Sequence, residues 1–377
     1  MLYNSHRMKP RVAHLVESLE IGGAERLVSD LVCARGQDST SVICLEVIGA
    51  LGEELQRGGF QVDLVGMHGL RIQTAYRLWR LLKERRPDVL HCHNLTAHLF
   101  GAAAARLTGG IAVVMTKHGA MQPVGGMVGF LNRKLAHHTQ TVAVSKEALD
   151  LVKAWLGPES PLPVQISNGI SLQPYENLPR RGEARAHLCW PLDSFLIGIV
   201  ARLVVSKGHL LLVDTFARLV QKVPQAKLLI VGEGYTRPQV EARIRDLALE
   251  SSVMLLGERH DVPEILAALD VFCLPSETEG MPITLLEAMA ASLPVVITRV
   301  GAVPSVVDDG VSGLLIPPFD SAALERALLT LAADPQRAAT MGRAGRARVE
   351  RDYSLQSALD AYERLYAEML ARGDSVR

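Results

Sequence analysis

The stretch VFCLPSETEGMPITLLEAMAASLPVVIT, residues 271–298, contains two short apolar runs separated by a loop and a helical pattern. Val271–Leu274 and Pro294–Thr298 read as strands, and near-continuous apolar runs of this kind belong to strands buried on both faces. Pro282 suits the first turn of a helix, where its missing N–H is not needed. A strand, a helix and a second strand in this order form a crossover unit of a parallel sheet.

The same alternation extends in both directions. Upstream in the second half, strands are expected at Phe195–Val200, Ala226–Val231 and Val253–Leu256, and downstream at Gly313–Ile316. The first half repeats the theme with Arg11–Glu17, Ser41–Val47, Gln61–Val65, Asp88–His93, Ala112–Lys117, Thr139–Val144 and Val164–Ser167. Helical patterns lie between them, including Ala24–Ala34, Thr74–Arg85, Ala97–Leu107 and Lys146–Trp155. A chain of 377 residues exceeds what one core usually fills. The fold class is therefore α/β, with two doubly wound Rossmann-like domains facing across a central cleft. Asn168 to Pro191 has a linker's composition, with Pro174, Pro179, Gly182 and Pro191. It places the first domain at 1–182 and the second at 190–352, while helical periodicity continues to the end.

Composition excludes several classes. Apolar residues make up 48% and charged residues 21%, and the formal net charge is zero, so there is no global pull toward nucleic acid. The five cysteines fall in no CxxC spacing and read as buried thiols of a reducing compartment. No long apolar run marks a leader or a membrane span. The expected location is cytoplasmic, with peripheral contact on the cytoplasmic face of the membrane considered below.

Within residues 276–298, Glu277 and Glu279 precede the helix and Glu287 lies on its second turn. Amides after Pro282, at Ile283 and Thr284, suit an anion at the positive end of the helix. Glu287 lies roughly 7.5 Å further along, so two carboxylates could grip opposite ends of a sugar nucleotide. A surface loop followed by a solvated glutamate is the plainer reading. In GIVARLVVSKGHLLLVDTF, Arg202 follows a strand and Lys207-Gly208 precede a helix. Such cations can neutralise a departing diphosphate, or simply be solvated. Gly22-Gly23 permits close backbone approach or a tight turn, and it is not GxGxxG. His118 follows a strand, at the start of a glycine-rich segment. His91 and His93 share a strand face but have no obvious further ligands, and no DxD occurs. They read as packing or cleft-lining groups, and no metal is expected.

The ordered set of these motifs resembles the family-4 retaining glycosyltransferases of the GT-B fold, over essentially the whole chain. Glu279 and Glu287, in EGMPITLLE, look like that family's E-x7-E element, and Arg202 with Lys207-Gly208 like its R-x4-K-G clamp. Gly22-Gly23, DVLHCHN (88–94), His118-Gly119, Ser167-Asn168-Gly169-Ile170 and VGEG (231–234) fall in the expected order.

The resemblance implies a metal-independent enzyme moving a hexose-type sugar from a UDP- or GDP-sugar to a glycan or polyprenyl-linked acceptor. It implies that Glu279 holds sugar hydroxyls and that Gly280, Met281, Pro282, Ile283 and Thr284 contact sugar and diphosphate. Glu287 would bind the ribose, Arg202 and Lys207 the leaving diphosphate, and Gly257 to Val262 would lie near the base. His118 would line the donor sugar, with Gly22 and Gly23 also on the donor side. The final helix, 355–377, would pack back on the first domain. Two positions depart from the pattern. Ser292 stands where the family has glycine, which implies a local structural change, and Ser171 stands where an aspartate often makes a hinge contact.

Two segments suggest acceptor or membrane contact: the apolar, glycine-rich 121–131, and the basic helix 71–86 with Trp79. Competing readings are a nucleotide-sugar epimerase of the same architecture and a non-catalytic nucleotide-sugar sensor. A dehydrogenase is disfavoured by the missing glycine fingerprint.

Overall fold

A computed structural model describes residues 9–67, 71–118, 126–157, 159–188 and 190–373. The chain divides into two compact units, one formed by 1–169 with 355–377 and the other by 170–354.

In the first unit the strands are β1 (Val12–Ser18), β2 (Thr40–Val47), β3 (Gln61–Leu64), β4 (Val89–His93), β5 (Ala112–Lys117), β6 (Thr139–Ala143) and β7 (Val164–Gln165). Among the described residues they form one parallel sheet in the order β3-β2-β1-β4-β5-β6-β7. In the second unit β8 (Phe195–Val200), β9 (Ala226–Val231), β10 (Val253–Gly257), β11 (Val271–Leu274), β12 (Val295–Thr298) and β13 (Leu314–Ile316) form another parallel sheet. Its order is β10-β9-β8-β11-β12-β13. The strand interiors are fully enclosed, with Leu15, Leu90 and Val113 in one core and Ile197, Leu229 and Phe272 in the other. The apolar runs in the sequence reflect this burial on both faces.

Strand order reverses at β1/β4 in the first unit and at β8/β11 in the second. At such a reversal the flanking connections diverge to opposite faces and leave a crevice at the strands' carboxyl ends. The loops following β1, β4, β5, β8 and β11 are therefore the places to look for ligands.

The division between the units does not fall at 182, where composition places it. Ile170 donates its N–H to the Tyr353 carbonyl (3.0 Å), and Arg346 donates to the Tyr175 carbonyl (2.8 Å). These bonds attach the segment after Gly169 to the second unit, and proline content gives no sign of them. The helix Leu355–Arg372 belongs to the first unit, where Glu363 pairs with the buried Arg35 at 2.9 Å.

A second buried pair closes the base of the other unit. Arg185 donates to Asp270 (2.5 Å) and to the carbonyls of Ala268, Leu192 and Ser194, so its guanidinium is met on every side. Ser292, just past the helix Ile283–Ala290, adopts φ +60°. This is the left-handed conformation that suits glycine, and the serine holds it at a strain of about 1–2 kcal/mol.

Candidate active site

Two loops flank the β8/β11 reversal, and backbone contacts lock them together. Glu277 donates its N–H to the Ser206 carbonyl (2.8 Å). Gly208 sits at φ +72°, and a Cβ there would lie 2.2 Å from the Pro275 carbonyl oxygen, so only glycine lets the β8 loop close onto the β11 loop. Gly301 does the same from the other side, at φ +52°, where a Cβ would be 1.9 Å from the Glu279 carbonyl oxygen. Ala302 then donates to the Gly280 carbonyl (2.9 Å).

This clamp brings Lys207 and Glu279 together. The Lys207 ammonium meets both carboxylate oxygens, at 2.7 and 2.8 Å, and Ser276 adds a hydrogen bond from its hydroxyl at 2.7 Å. Glu279 is 7% exposed, a depth at which an ionised carboxylate is stable only with such partners. Thr298 on β12 donates to the Ser276 carbonyl (2.6 Å) and so fixes the residue that orients Glu279. Arg202 lies directly after β8 with its side chain exposed, on the same loop as Lys207.

The helix Ile283–Ala290 starts immediately beyond, with Pro282 as its N-cap rather than its first residue. Its first amides, at Ile283 and Thr284, lack partners within the helix by geometry and form a positive end. Met281, Pro282 and Ile283 are buried and Gly280, Thr284 and Glu287 half-buried, with Glu287 on the second turn. Gly257 ends β10 at φ +70°, and Val262 opens the helix Val262–Ala268. Gly257 thus closes the edge strand of this sheet, and Val262 follows it. His209, next to Lys207-Gly208, is buried with no hydrogen-bond partner on either ring nitrogen. Burial and then Lys207 push its pKa down to about 4.

In the first unit, Gly22 is the N-cap of the helix Gly23–Arg35 at φ −166°, an extended conformation open to any residue. The more developed feature is a set of buried histidines at the β1/β4 reversal. Register places His14 directly opposite His91, and His93 ends β4. His14 Nδ1 lies 3.0 Å from His93 Nε2, and His93 Nδ1 lies 2.8 Å from His118 Nε2. His91 uses both nitrogens, one with the Tyr366 hydroxyl (2.8 Å) and one with Thr116 (2.7 Å). The Asn94 side chain accepts from the His118 N–H at 3.4 Å, and its backbone sits at φ +71°, which asparagine tolerates. Gly119 and residues 121–125 lie outside the described residues.

His14, His91 and His93 bring ring nitrogens within 4.8 Å of one another. The geometry suits a metal poorly, because His91 already spends both nitrogens and, among the described residues, no carboxylate joins the group to offset a divalent charge.

Comparison with known proteins gives the family and the fold. Residues 21–174 match the family model described as Glycosyltransferase Family 4, and residues 181–348 match Glycosyl transferases group 1. The GDP-mannose-dependent alpha-(1-6)-phosphatidylinositol monomannoside mannosyltransferase of Mycolicibacterium smegmatis is 30% identical, across 72% of this chain and 74% of its own. The chain belongs to the family-4 glycosyltransferases. Another relative is the UDP-Gal:alpha-D-GlcNAc-diphosphoundecaprenol alpha-1,3-galactosyltransferase of Escherichia coli, 26% identical over 79% of this chain and 80% of its own. The crystal structure of Anabaena HepE in complex with UDP-glucose superposes with a TM-score of 0.85, at 23% identity, over 96% of this chain and all of that one. The GT-B fold and a transferase activity follow.

The sequence singles out Glu279, Lys207 and His118, and the structure brings them into hydrogen-bonded groups with two residues that no motif marks, Ser276 and His14. Ser276 stands three residues before Glu279 in the quoted loop. His14 joins the cluster only through the pairing of β1 with β4, so no local signal marks it.

The histidine cluster makes a stability prediction. Burial pushes His14 down to about 3 and His98 and His118 to about 4, and holds His91 and His93 well below their ordinary value. These rings stay neutral in the folded enzyme, while in the unfolded chain they protonate near 6.5. The unfolded state then binds more protons, so stability is fully present above pH 6.5 and is lost as pH falls toward 4. Asp30, raised by burial to about 6, acts in the opposite sense but alone. The unfolding free energy, read from denaturant titrations, should be level from pH 8 to 7 and fall between pH 6.5 and 5, by up to about 1.4 kcal/mol per pH unit for each ring, with the midpoint falling in step. A midpoint level down to pH 5 would mean that the rings are solvated.

Proposed function

We propose that this glycosyltransferase transfers a hexose-type sugar from a UDP- or GDP-sugar to a glycan or polyprenyl-linked acceptor, with retention and without a metal. The observation that carries the reading is the Lys207–Glu279 pair at the β8/β11 reversal, where one cation and one buried carboxylate stand beside the start of the helix Ile283–Ala290. The relatives' names, one dependent on GDP-mannose and one on UDP-Gal with a diphosphoundecaprenol acceptor, support the substrate classes.

In this reading Glu279, fixed by Ser276, accepts hydrogen bonds from the sugar hydroxyls. The diphosphate lies against the amides from Gly280 to Thr284, and Glu287 takes the ribose hydroxyls. Gly257 and Val262 flank the base. When the bond from the anomeric carbon to the diphosphate oxygen breaks, its electron pair leaves with the phosphate. Arg202 and Lys207 meet that developing charge, the planar fork and the point charge doing together what a divalent cation would otherwise do. The acceptor hydroxyl attacks from the face the phosphate leaves, and its proton passes to a phosphate oxygen. His118 meets a hydroxyl of the donor sugar. Gly22 and Gly23 mark where the chain can approach a ligand closely.

Glu279→Ala and Lys207→Ala should each lower turnover at least a hundredfold in EDTA, in proteins with a normal far-ultraviolet spectrum, since groups aimed at developing charge act on this scale. The product anomer, read by NMR, should match the donor. Near-normal rates in either variant would refute the assigned roles, and an inverted product the same-face mechanism.

Membrane contact belongs to the first unit. On the helix Gly126–Ala136 the exposed Met127, Val128, Phe130 and Leu131 adjoin Arg133 and Lys134, an apolar and basic pairing suited to an anionic lipid surface. Trp79 plays no part in it: its ring packs on the core with Lys83 4.4 Å above it, and the basic helix instead exposes Ile72 and Tyr76. Vesicles containing phosphatidylglycerol should sediment the enzyme, and Met127→Asp with Phe130→Asp should release it. Equal sedimentation of the variant, or none of the wild type, would exclude this surface.

A further inference from the structure

The first unit has a cavity at the end of its sheet remote from the histidines. The helix Gly126–Ala136 delivers the chain to the start of β6, and the helix Lys146–Leu156 delivers it to the start of β7. Because β5, β6 and β7 run parallel, both helices end at the amino edge of the strands. The β1/β4 crevice and His118 lie at the opposite, carboxyl edge. Between the two helix ends is a cavity of about 320 Å³, lined from the first helix and the residue just after it by Phe130, Arg133, Lys134 and His137. Leu156 and Gly157, at the end of the second helix, close it with Glu159.

Residues three and four apart share a helix face, so Phe130, Arg133, Lys134 and His137 form one stripe, which Met127 extends toward the N-terminus. The stripe is apolar at one end and basic at the other, and Met127 lies roughly 9 Å along the helix from Arg133. An apolar helix face enters the boundary between head groups and acyl chains by about 5–10 Å, so the cations fall at the level of lipid phosphates. Neither Arg133 nor Lys134 makes a hydrogen bond or an ion pair among the described residues. Two opposing charges border the cavity. Glu159 is largely exposed and stands 3.5 Å from the His137 ring, and the carbonyl end of the helix Lys146–Leu156 carries about half a negative charge. Two full cations outweigh both. The buried Leu156 and the exposed Phe130 give this positive cavity an apolar wall.

We infer that this cavity holds the phosphate of one phospholipid, with Arg133 and Lys134 on its oxygens and the acyl chains running along Phe130 toward Leu131 and Met127. The inference rests on the membrane contact proposed above and sharpens it, from a surface drawn to anionic lipid into a site that grips a single head group. Free phosphate would meet the same cations but leave the apolar wall uncovered. The site is distinct from that of the sugar acceptor, because it opens at the edge of the sheet away from the carboxyl ends of the strands.

Two measurements on the full chain test it together. The first is isothermal titration with dihexanoylphosphatidylglycerol below its micelle concentration, with glycerol phosphate and inorganic phosphate alongside. The second is sedimentation with vesicles of phosphatidylglycerol and phosphatidylcholine. The short-chain lipid should bind saturably at one site, more than about tenfold tighter than either phosphate, because only the lipid covers the apolar wall. Arg133→Gln with Lys134→Gln, both exposed and so free to change without unfolding the helix, should abolish that binding. The same pair should weaken vesicle binding about thirtyfold, about fivefold for each cation. Arg57→Gln with Arg364→Gln removes two exposed charges elsewhere on the unit and should leave both readings within about threefold. An equal loss in that control would mean diffuse attraction and overturn the site, and phosphate binding as tightly as the lipid would overturn its occupant. Vesicles that sediment the enzyme while the short-chain lipid fails to bind would refute the cavity and leave the membrane surface standing. Saturable binding of the short-chain lipid by an enzyme that vesicles do not sediment would uphold the cavity and remove the membrane reading.

Discussion

A carboxylate buried as deeply as Glu279 costs several kcal/mol unless it is paired, and the second unit is organised around meeting that demand. Lys207 reaches it because Gly208 lets the β8 loop lie on the Pro275 carbonyl, and Ser276 orients it because Thr298 holds the Ser276 backbone from β12. Three strands thus contribute to one ion pair at the point where strand order reverses. A pair built this way is poor economy for stability alone, since apolar groups would fill the space as well. Under the proposed function it is a pair arranged ahead of a ligand that uses both groups, hydroxyls on the carboxylate and phosphate on the ammonium.

The first unit solves a different problem with the same topology. Its reversal, β1/β4, is lined by neutral rings rather than ions, and the helix Leu355–Arg372 supplies the hydroxyls of Tyr362 and Tyr366 that satisfy Thr116 and His91. That helix follows the second unit in sequence yet completes the polar interior of the first. The fold of the first unit is therefore finished only when the last segment is in place.

Much of this was legible in sequence because the determinants are local. Apolar runs such as LLIV and VVIT mark strands enclosed on both faces, and the thirteen expected strands agree with the structure to within a residue or two at their ends. Glu279 and Lys207 stand out because each lies in a loop directly after such a run. The remainder is set by tertiary pairing. His14 is one apolar-flanked histidine until β1 lies beside β4 in register, and Ser276 is one loop serine until Glu279 turns inward. The unit boundary moved for a similar reason, because the hydrogen bonds of Ile170 and Tyr175 are invisible to composition.

The central claim is that the β8/β11 reversal grips a nucleotide through its diphosphate. Isothermal titration in EDTA, comparing UDP and GDP with their monophosphates, tests it most directly. The account predicts that one diphosphate binds well above its monophosphate, and that Arg202→Ala and Lys207→Ala each remove most of that difference. Equal affinity for mono- and diphosphate, or a difference that survives both substitutions, would contradict it.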